Sequence, residues 1–262
     1  MNTFLIKHTI KYLFTSGHKF GHRIHSPFVF DFIQSVFRAK YSKSVFSTIE
    51  NYRRSLKRDT REIMITDFGA GSKRKSSNTR TISYIARTSA SAGKYARLLY
   101  AITKRYQPRT ILELGTSLGI GTAYLAYGCP EAKLLSLEGS QLIADEAVRT
   151  MTACGVKSAQ ILVGNFDDTL DEALRKLQYV DCAYIDGNHT KEATLRYFEQ
   201  IYPYCNADTI LIFDDISWSE GMYEAWQTII ADDRVRISID ICKKGLVFFR
   251  KGIEKQDFII RY

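Results

Sequence analysis

The stretch that decides the fold is ILELGTSLGIGTAYLAYG, residues 111–128. It starts as an apolar strand, passes through a glycine-rich turn and ends as an apolar helix. Glycine lets the backbone approach a ligand closely, and the first turn of a helix offers free N–H groups. The spacing is E-x-G-x-x-x-G-x-G, unlike the G-x-G-x-x-G that holds a dinucleotide pyrophosphate. The sequence therefore predicts a cofactor loop at Gly115, Gly119 and Gly121.

Apolar strands and amphipathic helices alternate from residue 108 to about residue 251, which is typical of a parallel sheet covered on both faces. Only three residues separate the last two strands, too few for a parallel crossover, so these strands form an antiparallel hairpin. We predict an α/β Rossmann-like fold with a seven-stranded sheet, its last strand antiparallel. The expected strands are 110–114, 133–138, 159–164, 181–186, 209–215, 234–241 and 245–251. The expected helices lie near 93–106, 121–128, 141–154, 167–177, 190–201 and 219–231.

The charge of the chain is concentrated at one end. Residues 1–100 carry 19 Lys or Arg and 5 Asp or Glu, whereas residues 101–262 carry 18 and 23. A basic segment of this kind is typical of contact with an anionic acceptor, a nucleic acid or a membrane surface, although a solvated face is an open alternative. We predict a mainly helical, basic extension over 1–92 that covers the substrate, a core domain over 93–252 and a C-terminal tail over 253–262.

Composition narrows the class of protein further. The five cysteines are scattered without a C-x-x-C pair, which indicates neither a zinc site nor a disulfide framework. No apolar run reaches the ~20 residues of a membrane-spanning helix, and charged residues interrupt the apolar N-terminus. A cytoplasmic protein is expected. The amphipathic helix expected within residues 1–14 packs on its own domain, on a second subunit in a homodimer, or on a membrane surface.

Two glutamates extend the predicted cofactor site. Glu138 ends the second strand 23 residues after Gly115, where an acid accepts hydrogen bonds from both ribose hydroxyls. Glu113 supplies negative charge for an ammonium group, and Asn165 and Phe166 follow the third strand, where an adenine-contacting loop is expected. This pattern favours S-adenosylmethionine, although a strand-end glutamate also serves as a helix cap. The candidate cofactor residues are Glu113, Gly115, Thr116, Ser117, Gly119, Gly121, Glu138, Gly139, Asn165, Phe166 and Asp186.

A second glycine-rich stretch, EIMITDFGAGS at 62–72, also follows an apolar segment. Lys73, Arg74 and Lys75 come next, where a strand-helix-strand unit would have to continue. We therefore interpret this stretch as a lid over the substrate, with the cofactor site at the later loop.

The motif ELGTSLGIGT, residues 113–122, resembles the first motif of cation-dependent O-methyltransferases of the catechol, caffeoyl-coenzyme A and macrocin types. The resemblance extends over about residues 90–250. It implies a class I methyltransferase in which Asp186 and the Asp214-Asp215 pair hold a divalent cation. The second residue of the pair is Asp where Asn is usual in the catechol branch. The stretches IHSPFVF and DDISWSEGMYEAW also resemble uncharacterised methyltransferases of Bacteroidetes-like organisms.

The chemistry of these residues agrees with that resemblance. Carboxylates at neighbouring strand ends repel one another unless a cation compensates them, and hard oxygen ligands favour Mg²⁺. A metal-bound hydroxyl loses its proton more readily and is positioned to attack the sulfonium methyl group. His189, three residues after Asp186, is the candidate base. It is equally open that Asp186 contacts only the cofactor, that Asp214 and Asp215 end a strand, and that His189 caps a helix.

We predict an S-adenosylmethionine-dependent enzyme that methylates a hydroxyl oxygen of a small molecule or sugar with a divalent cation. One alternative is a ribose methyltransferase that binds RNA through the basic extension. With only four prolines, the chain lacks the Pro-Pro loop of base-amino methylation. A non-catalytic S-adenosylmethionine-binding module and a nicotinamide dehydrogenase also stay open at this point.

Overall fold

The structure is a computed structural model that describes residues 3–17, 21, 24–65, 79–88 and 93–262. Its helices are α1 (Thr3–Thr15), α2 (Pro27–Phe32), α3 (Ser47–Leu56), α4 (Ile82–Thr88), α5 (Gly93–Tyr106), α6 (Ile120–Gly128), α7 (Gln141–Ala153), α8 (Phe166–Leu177), α9 (Lys191–Ile201) and α10 (Glu220–Ala231). Its strands are β1 (Glu62–Met64), β2 (Thr79–Thr81), β3 (Thr110–Leu114), β4 (Lys133–Glu138), β5 (Ala159–Val163), β6 (Val180–Ile185), β7 (Cys205–Phe213), β8 (Ile237–Asp240), β9 (Gly245–Phe248) and β10 (Gln256–Ile259).

Eight strands form one sheet in the order β10-β8-β9-β7-β6-β3-β4-β5. Strand β9 pairs antiparallel with both β7 and β8, which confirms the predicted hairpin and its antiparallel strand. Each predicted strand and helix of the core domain is present, with ends shifted by a few residues. The structure is thus the predicted Rossmann-like α/β fold.

The number of strands in the sheet was predicted wrongly. The sheet has eight strands instead of seven, because β10 lies in the segment expected to be a tail and pairs in parallel with β8. Its four residues, QDFI, are too few and too polar to stand out as a strand.

The chain divides into two compact units. Unit 1 comprises residues 1–38 and 178–262, and unit 2 comprises residues 39–177. The expected boundaries at residues 92 and 252 stay predictions. No helix in the described ranges is long and apolar enough to cross a membrane.

Unit 2 contains the parallel strands β3, β4 and β5, packed with helices of its own. Strand β3 is fully buried, and the register Ile111↔Leu134 places it beside β4. The extension contributes α3, whose Glu50 accepts a hydrogen bond from the Tyr124 hydroxyl at 2.7 Å. Arg61 donates to both oxygens of the Glu146 carboxylate, which joins the segment before β1 to α7.

Unit 1 combines β6 to β10 with residues 1–38. The rings of Phe28 and Phe32 contact Phe248 of β9 edge-on, with centroids 5.0 and 5.5 Å away. Tyr12 of α1 donates a 2.6 Å hydrogen bond to the carbonyl of Ile260. In this unit, residues of the basic extension therefore pack against the strands of the sheet.

Candidate active site

The predicted site residues divide between the two units. Glu113, the glycine-rich turn, Glu138 and the Asn165-Phe166 pair belong to unit 2. Asp186, His189, Asp214 and Asp215 belong to unit 1.

The glycine-rich turn after β3 has the backbone that its glycines predict. Gly115 and Gly119 have φ of 98° and 75°, in the range that favours glycine. A Cβ on Gly119 would lie 3.1 Å from the Ala147 carbonyl oxygen, so this glycine also permits close packing of the turn against α7. Ser117 takes a φ of 48° without being glycine, a conformation that is often retained at functional sites.

The carboxylate of Glu138 forms hydrogen bonds with the backbone of this turn and of the residues before α7. One carboxylate oxygen accepts the N–H of Ser117 at 2.9 Å, and the other accepts the N–H of Ser140 at 3.0 Å. Two backbone donors therefore fix the carboxylate at the end of β4. Glu138 therefore lies beside the glycine-rich turn, and its contact with the ribose hydroxyls stays a prediction.

Glu113 is fully buried and lies in a network of hydroxyl groups. One of its oxygens accepts hydrogen bonds from Thr122 and Ser136, each at 2.6 Å. The Ser136 hydroxyl also lies 2.5 Å from that of Thr116. Through these hydroxyl groups Glu113 links β3 to β4, α6 and the glycine-rich turn. Its contact with the ammonium group of a cofactor stays a prediction.

Asn165 and Phe166 lie at the start of α8. The Asn165 side-chain oxygen accepts the N–H of Asp167 at 3.2 Å, and its carbonyl accepts the N–H of Asp168 and of Thr169. Asn165 thus satisfies the first turn of the helix. Its predicted contact with adenine stays a prediction, as do ligand contacts of Gly121 and Gly139.

In unit 1, a buried lysine lies at the centre of the acidic cluster. The Lys244 side chain is only 2% exposed, and its Nζ lies 2.5 Å from Asp214 Oδ2 and 2.7 Å from the Tyr184 hydroxyl. The Tyr184 oxygen lies 2.6 Å from Asp186 Oδ2 and 2.5 Å from Asp214 Oδ2. Lys244 donates a hydrogen bond to Asp214, so the single hydroxyl hydrogen of Tyr184 is able to go to Asp186.

The electrostatics of the three aspartates follow from this network. Burial, and then the charge of Asp214, raise the pKa of Asp186 well above its ordinary value. Burial also opposes ionisation of Asp214, but the Lys244 charge and hydrogen bond outweigh it and lower the Asp214 pKa. Burial and the Asp214 charge raise the pKa of Asp215. One ammonium therefore keeps Asp214 ionised, while its two neighbours are driven towards the neutral form.

His189 lies in the turn that precedes α9. Its Nε2 is 3.6 Å from Asp186 Oδ1, and its side chain is 28% exposed. The helix is capped by Thr190, whose side chain accepts the N–H of Ala193, so His189 is not the cap. Asn188 has a φ of 47° and Asp215 a φ of 49°, so the turns after β6 and β7 both carry strained backbone.

The three aspartates do not fit a magnesium ion in this arrangement. Asp214 Oδ2 is engaged by Lys244 and Tyr184, and Oδ1 accepts the N–H of Asp215 at 2.8 Å. Within the described residues, no three His, Cys, Asp or Glu side chains are arranged to hold a metal ion. A dication about 4 Å from the ammonium would be repelled by roughly 8 kcal/mol at an effective dielectric constant of ~20. These contacts argue against metal ligation by Asp186, Asp214 and Asp215, which stays a prediction.

Some predicted features lie outside the described residues. They include most of the proposed lid, the DFGAGS stretch with Lys73, Arg74 and Lys75. The expected contact of this basic segment with the acceptor stays a prediction.

Part of the chain matches a known protein family. Residues 112–216 match a family model described as a methyltransferase domain. This range contains the glycine-rich turn, Glu138, Asp186, His189 and the Asp214-Asp215 pair. The class I methyltransferase fold predicted from the sequence is confirmed.

Individual relatives agree with that class. The chain is 32% identical over 129 residues to a protein of Mycobacterium tuberculosis named "Probable O-methyltransferase", covering 45% of this chain and 54% of that one. The chain thus spans about half the length of the curated relative it matches. The predicted resemblance to O-methyltransferases is confirmed.

Solved structures of low identity share the fold. One is the O-methyltransferase TomG of Streptomyces achromogenes in complex with S-adenosylmethionine, with a TM-score of 0.57, 16% identity and coverage of 84% of this chain and 95% of that one. Another is an O-methyltransferase of Bacillus cereus with bound S-adenosylhomocysteine, with a TM-score of 0.55, 18% identity and coverage of 84% and 96%.

Sequence reasoning missed two residues of the acidic cluster, Tyr184 and Lys244. Tyr184 lies two positions before Asp186, and this spacing places both side chains on the same face of a strand. This two-residue spacing could have identified Tyr184 from the sequence. The burial of Lys244 left no such signal, because a lysine in a short hairpin turn is ordinarily exposed.

Proposed function

We propose that this chain transfers the methyl group of S-adenosylmethionine to a hydroxyl oxygen of a small molecule. The observation that carries the proposal is the Glu138 carboxylate, fixed by two backbone N–H groups beside the glycine-rich turn. The methyltransferase-domain match over residues 112–216 and the relatives named as O-methyltransferases support it. The ribose hydroxyls donate to Glu138, and the glycine-rich turn lies against the rest of the cofactor.

His189 is the proposed base. It removes the proton of the acceptor hydroxyl through a ring nitrogen, the oxygen attacks the sulfonium methyl carbon, and the carbon–sulfur bond breaks to leave S-adenosylhomocysteine. Asp186, with Oδ1 3.6 Å from Nε2 of the imidazole, orients the ring towards the acceptor. No step of this mechanism passes through a metal ion, because the carboxylates in this arrangement do not fit one.

Calorimetry tests the cofactor assignment directly. The wild type is expected to bind S-adenosylmethionine or S-adenosylhomocysteine with micromolar affinity. A wild-type protein that binds neither compound would refute the proposal. NADH in the same titration distinguishes a nicotinamide dehydrogenase.

A turnover assay tests the role of His189. Formation of S-adenosylhomocysteine is measured with a panel of phenols, catechols and sugars. The His189→Ala variant is expected to be slower by about 10²–10⁴-fold, the range for one general base, with unchanged cofactor affinity. Partial recovery with added imidazole identifies lost proton transfer instead of a damaged fold.

Two further parts of the proposal concern the surroundings of the enzyme. We expect a cytoplasmic protein whose acceptor is anionic enough to contact the basic N-terminal segment. An Ala substitution of Lys73, Arg74 and Lys75 together is then expected to raise the acceptor KM and leave cofactor affinity unchanged.

A further inference from the structure

Lys244 has a position set by the sheet itself. The antiparallel register of β7 and β9 pairs Phe213 with Gly245. Asp214, the first residue after β7, therefore lies beside Lys244, the residue that precedes β9. The turn before β9 is closed by a 2.9 Å hydrogen bond from the Ile241 N–H to the Lys244 carbonyl. The lysine therefore reaches the acidic cluster as a direct consequence of strand pairing.

The surroundings of the ammonium are specific to a cation. A Lys side chain is almost never fully buried unless it is paired, and this one is 2% exposed. Its Nζ lies 4.5 Å from the centroid of the Tyr184 ring, and it donates to the Tyr184 hydroxyl as well as to Asp214. Because Tyr184 contacts Asp186 in turn, one ammonium reaches both strand-end aspartates.

The turn that carries Lys244 is held by close packing. A Cβ on Gly245 would lie 2.5 Å from the Trp226 ring, so the indole of α10 lies directly against this backbone. Trp226 is itself fully buried. A lysine whose neighbouring backbone is packed in this way has little freedom to withdraw from the cluster.

We propose that the ammonium of Lys244 takes the place of a divalent cation in this site. It compensates the charge of Asp214 directly and positions Asp186 through Tyr184, so that Asp186 and His189 face the acceptor without a bound metal. Lys244 is in these terms a positioning residue. The inference rests on the proposed methyl transfer, in which Asp186 and His189 act on the acceptor.

The test titrates Mn²⁺ alone into the wild type and into Lys244→Met, followed by electron paramagnetic resonance of the free ion. The wild type is expected to bind no Mn²⁺ at millimolar concentrations. Lys244→Met is expected to gain a Mn²⁺ site, because three carboxylates lose their internal cation and hard oxygen ligands remain. The control is Lys243→Met, which removes one positive charge from an exposed position of the same turn and is expected to gain no site.

Each outcome decides the inference. Mn²⁺ binding by the wild type that disappears in Asp214→Asn overturns it, and so does a folded Lys244→Met protein that binds no Mn²⁺. If circular dichroism shows that Lys244→Met is unfolded, the wild-type and Asp214→Asn titrations still give the answer.

The same samples separate this inference from the proposed function. Binding of S-adenosylhomocysteine to the wild type is measured with and without EDTA and is expected to be equal in both. A wild type that binds no S-adenosylhomocysteine contradicts the methyltransferase proposal, whereas the Mn²⁺ result concerns the lysine alone.

Discussion

In unit 2, the strand-end carboxylates of Glu113 and Glu138 are held by neutral donors, whereas in unit 1 the strand-end carboxylate of Asp214 is held by an ammonium group. Glu138 accepts two backbone N–H groups, and Glu113 accepts two hydroxyls. Asp214 accepts a hydrogen bond from the Lys244 ammonium and lies within a cluster of three aspartates.

The two kinds of donor differ in whether they compensate the negative charge of the carboxylates. Backbone N–H groups follow from the fold and carry no net charge, so they orient one carboxylate without compensating several. Three neighbouring carboxylates need a positive charge nearby, because like charges in a buried site oppose each other's ionisation. A binding site for hydroxyl groups is therefore built from backbone, and a cluster of acids is built around a cation.

The largest expected effect comes from removing that cation. Lys244→Met leaves Asp214 buried without its ionic partner, which is expected to lower the free energy of unfolding by about 3–5 kcal/mol. The measurement is urea denaturation at neutral pH. Lys243→Met, the exposed neighbour, is expected to stay within about 0.5 kcal/mol of the wild type.

A double variant sharpens this result. Lys244→Met combined with Asp214→Asn removes both charges and is expected to be more stable than Lys244→Met alone. Equal losses in Lys244→Met and Lys243→Met would show that the buried ammonium stabilises nothing.

A second expected effect concerns the ionisation of the buried Asp240 carboxyl group. Burial raises the pKa of Asp240 to about 6, against the hydrogen bond from the Cys242 N–H that lowers it. A raised folded-state pKa gives stability that is present below the unfolded value near 3.8 and is lost as the pH rises to about 6. Asp240→Asn is expected to stabilise the protein by up to about 3 kcal/mol at pH 7.5 and by much less at pH 4.

The measurement is thermal or urea unfolding of both proteins across this pH range. Asn keeps an oxygen that accepts the Cys242 N–H, so this backbone hydrogen bond is retained in the variant. A stability difference that does not change with pH would mean that Asp240 has an ordinary pKa.

On the cofactor side, the expected effect is smaller and concerns affinity. Glu138→Ala removes the acceptor of the ribose hydroxyls and leaves the N–H groups of Ser117 and Ser140 without this partner. We expect S-adenosylhomocysteine to bind at least tenfold more weakly, about 1.4 kcal/mol, by calorimetry. Glu131→Ala, at an exposed position before β4, serves as the control, and equal affinities in all three proteins would remove Glu138 from the cofactor site.

The smallest expected effect concerns glycine at the glycine-rich turn. It separates the cost of left-handed backbone from the cost of a steric contact of the added Cβ. Gly119→Ala and Gly155→Ala both place alanine in left-handed backbone, with φ of 75° and 70°. A Cβ at Gly155 meets nothing within 4 Å, whereas a Cβ at Gly119 meets the Ala147 backbone at 3.1 and 3.2 Å. Gly119→Ala is therefore expected to cost about 1 kcal/mol more in urea denaturation. Equal losses in the free energy of unfolding for the two variants would show that α7 moves to accommodate the added Cβ at no cost.

The core of the fold was predictable because its signals are local. The spacing of apolar residues predicts the strands and helices, and the three-residue connection at Cys242, Lys243 and Lys244 fixes the antiparallel hairpin. The glycine-rich turn likewise follows from positions that require glycine. The eighth strand was missed, because QDFI is stabilised by pairing with β8 and its own sequence is not typical of a strand.

Only those candidate site residues that follow directly from the ends of strands were predictable from the sequence. Parallel strands end at one edge of a sheet, so Glu138, Asp186 and Asp214 were identifiable from their positions. The position of Lys244 among the aspartates depends on the pairing of β7 with β9 and on the packing of Trp226 against Gly245. Both are tertiary contacts, which the sequence of the turn does not reveal, and that sequence alone favours an exposed Lys244.

The pairing of distant segments in unit 1 also bears on the order in which the protein forms during translation. Residues 39–177 of unit 2 are consecutive and complete their synthesis first. Unit 1 depends on hydrogen bonds such as that from Tyr12 to Ile260, 248 residues apart, and from the Gly17 N–H to the Ile259 carbonyl. Helix α1 therefore leaves the ribosome long before β10 exists, and its own unit closes only when that strand has been made.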